Sequence, residues 1–324
     1  MKRRGLLSLL CGASLWSLAA RAQQAMPVVG FLHKGAFAAT RPHVRAFWAG
    51  MEQGGFAELR NVGAEYRWAD GHDELLPSLA MELVRQDVAV IIVGGGDNAV
   101  TAAKRATETI ATVFVSGSDP VRSGIVASLS HPGGNITGVT LASTELLAKR
   151  LEILHELAPE LDVTALVNPR NPNIGVQLQY LTEAAKRIGI PVQIVNAVGE
   201  TDFGPALEQV GQGQHAALLV ANDGFLNGQR DRLVALTARL AIPAAFGIRD
   251  FVEAGGLVSY GPSLVEAYRQ VGTYVGRILK GEKPGDLPVQ HPVEFELAIN
   301  LKTANLLGLK IPPSLLAAAD EVIE

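Results

Sequence analysis

Six consecutive apolar residues, VAVIIV over 88–93, run straight into Gly94-Gly95-Gly96. The run is too short to cross a bilayer, and its β-branched composition suits a strand covered on both faces. The glycines end the strand, and Asp97 or Asn98 is positioned to cap a following helix. A second apolar stretch, TVFV over 112–115, leads into Ser116-Gly117-Ser118-Asp119-Pro120. Strand, glycine turn, helix and parallel strand make a βαβ unit, which needs helices on the sheet faces. Such sheets bind ligands where their strands deliver carboxyl ends. Residues 94–98 and 116–120 are therefore the first candidates for a binding surface.

The same alternation extends both ways. Upstream, a strand over 27–32 precedes a helix whose Val44, Phe47, Trp48 and Met51 share one face. An edge strand over 61–68 and a helix over 70–85 complete a first doubly wound lobe. Beyond Ser116 lies a Gly/Pro/Ser/Asn-rich segment with room for one short helix at 123–129; loops this long are functional or connect domains. A second series follows, with helices over 144–157, 174–188, 203–210 and 229–240 and strands over 163–167, 191–195, 216–220 and 242–246. Gly189 closes the second of these helices. After a strand over 257–260, Ser263 and Glu266 form a capping box. Leu264, Tyr268, Val271, Val275 and Ile278 make the inner stripe of that helix, which Gly281 ends. A linker-like stretch over 280–292, a strand over 293–299, a helix near 303–307 and a short tail helix within 312–324 finish the chain. The expected fold class is α/β, with two doubly wound parallel-sheet lobes.

The amino terminus has the form of an export signal: Lys2, Arg3 and Arg4, an apolar stretch over 5–18, and Ala20-Arg21-Ala22 as an A-x-A cleavage site. Cleavage after Ala22 removes 22 of the 324 residues, four of the 28 Lys and Arg and none of the 32 Asp and Glu, leaving a net charge of −8. It also removes Cys11, the one cysteine. The mature chain is then expected to be periplasmic, held by its core rather than by disulfides, and without a membrane span. Its acidity argues against nucleic acid, whose binding needs clustered cations.

Catalytic signatures are sparse. Gly94-x-Gly96-x-x-Ala99, with Asp119 some twenty residues on, has the outline of a dinucleotide fingerprint. Asp97, however, stands where a pyrophosphate would approach the helix N-terminus and would repel it. The histidines, at 33, 43, 72, 131, 155, 215 and 291, never fall at the i, i+3 or i, i+4 spacing of a helical zinc pair. No G-x-S-x-G elbow is present, and Asp70-Gly71-His72-Asp73 lacks calcium-loop spacing. No catalytic residue, metal ion or cofactor is expected.

Polar groups gather instead at predicted strand ends. In the first lobe these are His33, Gly95, Asp97, Asn98, Ser116, Ser118 and Asp119; in the second, Asn168, Asn171, Asn173, Asn222, Asp223 and Arg249. With Phe225, Phe246 and Tyr260 nearby, they suit a small polar ligand that has an apolar part. Each also has a plain alternative as a cap or turn former.

Several segments then carry a likeness: MPVVGFL, EYRWADG, VFVSGSDPVRSGIVASLSHPGGNITGV, AKRLEILHELAP, LVNPRNPN, and the long run from FVEAGGLVSYGPSLVEAYRQVGTYVGRILKGEKPGDLPVQHPVEFELAINLKTANLLGL to PPSLLAAADEVIE. These resemble the ABC-transporter substrate-binding proteins of the tryptophan/tyrosine-uptake-like group. The resemblance implies a type I periplasmic-binding fold whose lobes are joined by a three-crossing hinge. It divides the chain into 23–140 plus 256–282 and 141–255 plus 283–324. It also implies a ligand, an amino acid or related metabolite, held between the lobes, a monomer, and an ABC permease in the inner membrane as partner. Asp97 stands where relatives often carry small residues, and its carboxylate would alter ligand preference. A sensor module feeding a signalling receptor, or an exported α/β enzyme, are the alternative readings.

Overall fold

The computed structural model describes residues 26–141, 144–171, 173–212, 216–291 and 294–324. The leader expected over 1–22, positions 142–143, Pro172, His215 and positions 292–293 lie outside the described residues.

The first sheet is built from β1 (Val28–His33), β2 (Gly63–Trp68), β3 (Val90–Gly94), β4 (Ala111–Ser116) and β5 (Ile136–Thr140). All its pairs are parallel, in the order β2-β1-β3-β4-β5, so β2 is an edge strand as its alternating pattern requires. Helices α1 (Phe37–Gln53), α2 (Leu76–Arg85) and α3 (Asp97–Ala106) connect the strands. Central β3 is buried on both faces because helices cover both. Val90 and Ile92 join one core with Phe31, Phe47 and Met51, while Ile91 and Val93 join another with Leu83, Val100 and Phe114.

The second sheet takes α4 (Leu146–Leu157), β6 (Asp162–Val167), α5 (Ile174–Ile188), β7 (Val192–Asn196), α6 (Phe203–Gly211), β8 (Ala216–Val220), α7 (Gly224–Gly228), α8 (Arg230–Arg239), β9 (Ala244–Phe246), α9 (Asp250–Glu253) and β10 (Val258–Pro262). After α10 (Leu264–Leu279) the chain adds β11 (Phe295–Asn300), α11 (Leu301–Leu306), α12 (Pro313–Ala318) and β12 (Glu321–Ile323). The order is β12-β11-β10-β9-β8-β6-β7, parallel throughout except for the antiparallel pair of β10 with β11. One core, including Leu151, Leu166, Leu181, Leu219 and Phe246, runs through this lobe.

Helix α10 follows β10, an inner strand of the second sheet, and packs on the first lobe. The Ser263 hydroxyl accepts the Glu266 N–H at 3.4 Å, as the capping-box pattern anticipates. Its inner stripe then lies against α1 at a distance only glycine permits. A Cβ on Gly272 would stand 2.0 Å from the Phe47 carbonyl oxygen, and one on Gly50 the same distance from that of Arg269. After α10 the chain remains on the first lobe: the Tyr274 hydroxyl donates to the Pro288 carbonyl at 2.6 Å and Thr137 Oγ1 to that of Leu287 at 2.7 Å. The Gln290 N–H then donates to Gly138 at 3.0 Å.

Four sequence expectations change. Residues 258–262, assigned with 256–282 to the first lobe, belong to the second sheet, because their backbone ladder lies between β9 and β11. Residues 287–290, assigned to the second lobe, pair with the first. The helix expected at 123–129 is a turn and bends, since Asp119 Oδ1 accepts the N–H groups of Val121 and Arg122 and closes a tight turn instead. The tail helix is followed by β12, which pairs with β11; three residues are too few for alternation to be read.

Gly272→Ala should therefore lower stability by about 1–3 kcal/mol in a urea melt, as overpacking does. Gly175→Ala, with nothing within 4 Å of the added carbon, should leave the midpoint unchanged or slightly raised.

Candidate ligand-binding cleft

The carboxyl ends of β1 to β4 face those of β8 and β9 across a cleft of about 700 Å³. The first lobe contributes His33 at the end of β1 with Lys34 and Gly35 after it, Asp70, Gly71, His72 and Glu74 after β2, Gly95 and Gly96 after β3, and Val115 of β4 with Gly117 just beyond it. Thr40 and His43 of α1 and Leu264 and Tyr268 of α10 line it as well. The second lobe supplies Glu200, Gly224, the 227–232 segment, Ile248 and Asp250. Val115, Leu141, Ile248 and Leu264 give it an apolar part, and ionic side chains occupy much of the remainder.

The lobes touch through glycine. A Cβ on Gly117 would lie 3.2 Å from Gly224 Cα, and one on Gly224 would lie 3.1 Å from the Asp97 carboxylate. Asp97 itself takes a hydrogen bond from Ser116 Oγ at 2.7 Å. Opposite stands Asp223, which caps α7 by accepting the Leu226 N–H at 2.9 Å and holds Asn168 Nδ2 at 3.3 Å. Burial pushes the Asp223 carboxyl upward and the Asp97 charge adds to this, against the hydrogen bonds from Leu226 and Asn168. Hinge and cleft join at Asn222, whose Nδ2 donates across the lobes to the Leu141 carbonyl at 3.0 Å.

A second interlobe contact is ionic. His43 Nε2 lies 3.5 Å from Asp250 Oδ1, and Arg230 Nη1 lies 3.1 Å from the other oxygen. Burial alone would raise the Asp250 carboxyl, but the His43 hydrogen bond and the His43 and Arg230 charges hold it below the usual range. The cationic groups of the cleft are likewise engaged: Lys34 with Asp73 at 3.0 Å and Arg232 with Glu200 at 3.1 Å. His33 is different. Burial drives its pKa down to about 3, with the nearby His43 adding to the effect, so its ring is neutral at physiological pH.

Of the residues singled out by sequence, His33 and Gly95 line the cleft, and Asp97, Ser116 and Asp223 sit where the lobes meet. Ser118 is buried beneath, bonded to Ser123 Oγ at 2.9 Å. The others do not line the cleft. Asn98 reaches Asp73, and Asp119 caps its own turn. Asn168, Asn171 and Asn173 shape the 168–173 loop: Asn168 Oδ1 accepts the Arg170 N–H, Asn171 Nδ2 donates to the Asn222 carbonyl, and Asn171 Oδ1 accepts the Asn173 N–H. Phe225 stacks on Phe203, Phe246 is a core residue stacked on Phe251, and Tyr260 lies over Phe295. Arg249 pairs with Glu253 and Glu321 instead. Strand-end position places a residue near the cleft edge, whereas side-chain direction sends these away from it. The helix cap is Gly96, at φ +122°, rather than Asp97 or Asn98. Sequence reading passed over Lys34, His43, Arg230, Asp250 and Tyr268. The available signal was a polar group inside an otherwise buried helical stripe, as at His43 and Tyr268.

Two α/β lobes with facing strand ends and an interlobe cleft define a two-lobed solute-binding protein. The chain belongs to the ABC transporter substrate binding protein family, whose model matches residues 31–323. It is 24% identical over 267 residues to a tyrosine-binding protein of Clostridioides difficile (strain R20291), covering 82% of this chain and 76% of that one. Among solved structures it resembles an ABC domain in complex with L-Trp from Streptococcus pneumonia, at a TM-score of 0.79 and 22% identity, covering 92% of this chain and 99% of that one. A conserved domain protein from Vibrio cholerae gives 0.77 and 24% with the same coverage. The fold of type I periplasmic binding proteins is thus shared along the chain.

Neutral buried His33 makes stability pH-dependent. Unfolded, this histidine titrates near 6.5; folded, near 3, so its contribution is complete above pH 6.5 and is lost as pH falls toward 3. Its share of the slope should approach about 1.4 kcal/mol per pH unit in that window. Urea midpoints measured from pH 7 to pH 4 should fall less steeply in His33→Asn than in the native chain.

Proposed function

We propose that this chain is the solute-holding component of an ABC importer. It is exported by a leader over 1–22 and works as a monomer in the periplasm without chemistry of its own. A small solute, an amino acid or closely related metabolite, sits between the lobes, favours their closed arrangement, and so presents that shape to a permease in the inner membrane. The observation that carries the reading is the cleft of about 700 Å³, walled by both lobes and partly apolar. That volume suits an amino acid with a ring better than an ion or a macromolecule. The tyrosine-binding relative and the L-Trp complex support an aromatic amino acid. Ring contacts here would come from Tyr268, His43 and the apolar wall at Val115, Leu141, Ile248 and Leu264, in place of Phe225, Phe246 and Tyr260.

Titration calorimetry with the twenty amino acids tests this directly. An aromatic member should bind at one site per chain and, at a hundredfold excess over its Kd, stabilise the protein by about 2.7 kcal/mol. Absence of binding across the panel, together with no small molecule released on denaturing freshly purified protein, would sink the reading. Asp250→Asn breaks the link from His43 on one lobe to Arg230 on the other, and should weaken that affinity about tenfold to a hundredfold in protein still folded at the titration temperature, with a lower melting midpoint because Arg230 loses its buried partner.

A further inference from the structure

His33 and Tyr268 reach one spot in the cleft from different elements, and neither polar tip finds a partner there among the described residues. His33 is the last residue of β1 and Tyr268 lies one turn into α10. The His33 Nδ1 accepts the Gly35 N–H at 2.9 Å, which leaves Nε2 to carry the proton of the neutral ring. Measured from where a Cβ on Gly94 would stand, the Tyr268 hydroxyl oxygen is 1.9 Å away and His33 Cδ2, the carbon bonded to Nε2, is 2.8 Å away. The two tips therefore converge over Gly94, a position that must lack a side chain for them to meet.

Both residues are more than nine-tenths buried, with 9% of His33 and 3% of Tyr268 exposed. Their rings are held from behind: Tyr268 stacks on His43 at 5.0 Å between centroids, and His33 leans on Trp68 at 5.2 Å. The Tyr268 hydroxyl and the His33 imidazole N–H are thus rigidly held polar tips that open on the cleft without a protein partner among the described residues, and a matching ligand group gains a preorganised hydrogen bond from each. The ionisable groups around them, Asp250, Arg230 and His43, are already joined to one another, and Lys34 is joined to Asp73. An ionised ligand group would find no uncommitted counter-charge beside this pair. A neutral group that accepts from His33 Nε2–H and shares a hydrogen bond with Tyr268 fits both tips, and a hydroxyl does so with one atom.

We propose that His33 and Tyr268 form a hydroxyl-recognition pair, which makes the cleft prefer a solute carrying a hydroxyl over the same solute without it. The assignment deepens the solute-binding reading and rests on it. Burial keeps the His33 ring neutral and the Tyr268 hydroxyl protonated, so neither member of the pair changes its protonation between pH 5 and pH 8.

L-Tyrosine and L-phenylalanine, which differ by one hydroxyl, are the probes, titrated calorimetrically into the native chain and into Tyr268→Phe. That variant removes one oxygen without a partner in the fold and leaves the ring on His43, so its melting curve should match the native one. Native protein should bind tyrosine about tenfold or more tightly than phenylalanine, at both pH 5 and pH 8. In Tyr268→Phe the ratio should fall below about threefold, chiefly through weaker tyrosine binding. Equal binding of the two by the native chain overturns the pair, as does a ratio unchanged in the variant or one that vanishes at pH 5. If neither binds but another amino acid does, the pair is overturned and the solute-binding reading stands; if no amino acid binds, both fall.

Discussion

The close approach of two helices governs the rest of this structure. Helix α10 leaves the second sheet and must return to the first lobe, and it does so by lying on α1 with Gly272 against the Phe47 carbonyl and Gly50 against that of Arg269. Backbones this near bring their flanking side chains into register. His43 on α1 and Tyr268 on α10 stack as a result, and both line the cleft. The helix reached by the crossing between lobes and the first-lobe helix it packs on thus also furnish one wall of the ligand site. Dense packing of this sort is stiff, which suits a hinge whose lobes move as bodies.

Electrostatics divides the cleft into two unlike regions. At Gly224 the lobes bring Asp97 and Asp223 toward each other, like charges whose approach opposes closure. At Asp250 the first lobe's His43 meets a carboxylate that is already paired with Arg230 of its own lobe, a favourable contact. Closure therefore balances a repulsive contact against an attractive one, both partly shielded from water. A solute needs to add only a modest increment to shift such a balance, since a few kcal/mol separate mostly open from mostly closed.

Much of the architecture was legible because its causes are local. The β-branched run before Gly94, the Ser263 N-cap and Gly189 in the left-handed region at φ +85° each act within a few residues and stand where the pattern placed them. The Glu266 half of the capping box is not formed: its carboxylate pairs with Arg269, and the Ser263 N–H donates to the Glu294 carbonyl. The expectations that failed depended on distant partners. The antiparallel β10–β11 pair, the added strand at 321–323 and the return of residues 287–290 to the first lobe are all settled by neighbours far along the chain. Asp119 misled for the opposite reason, since a two-residue turn outcompeted the helix its neighbourhood suggested.

The site divides along the same line. The sequence by itself determined that polar residues would collect at strand ends facing a gap, because parallel sheets deliver their carboxyl termini to one edge. It did not determine which of them look into the gap, since two residues adjacent in sequence can point to opposite sides of a loop. His33 and Arg249 both follow this strand-end logic, yet one enters the cleft and the other pairs with Glu253 and Glu321. Tyr268 and His43, indistinguishable from core positions by periodicity, became cleft residues only when helices from separate parts of the chain packed together. Tertiary structure decided this because a side chain's role follows from what faces it, and what faces these two lies more than 200 residues away in the sequence.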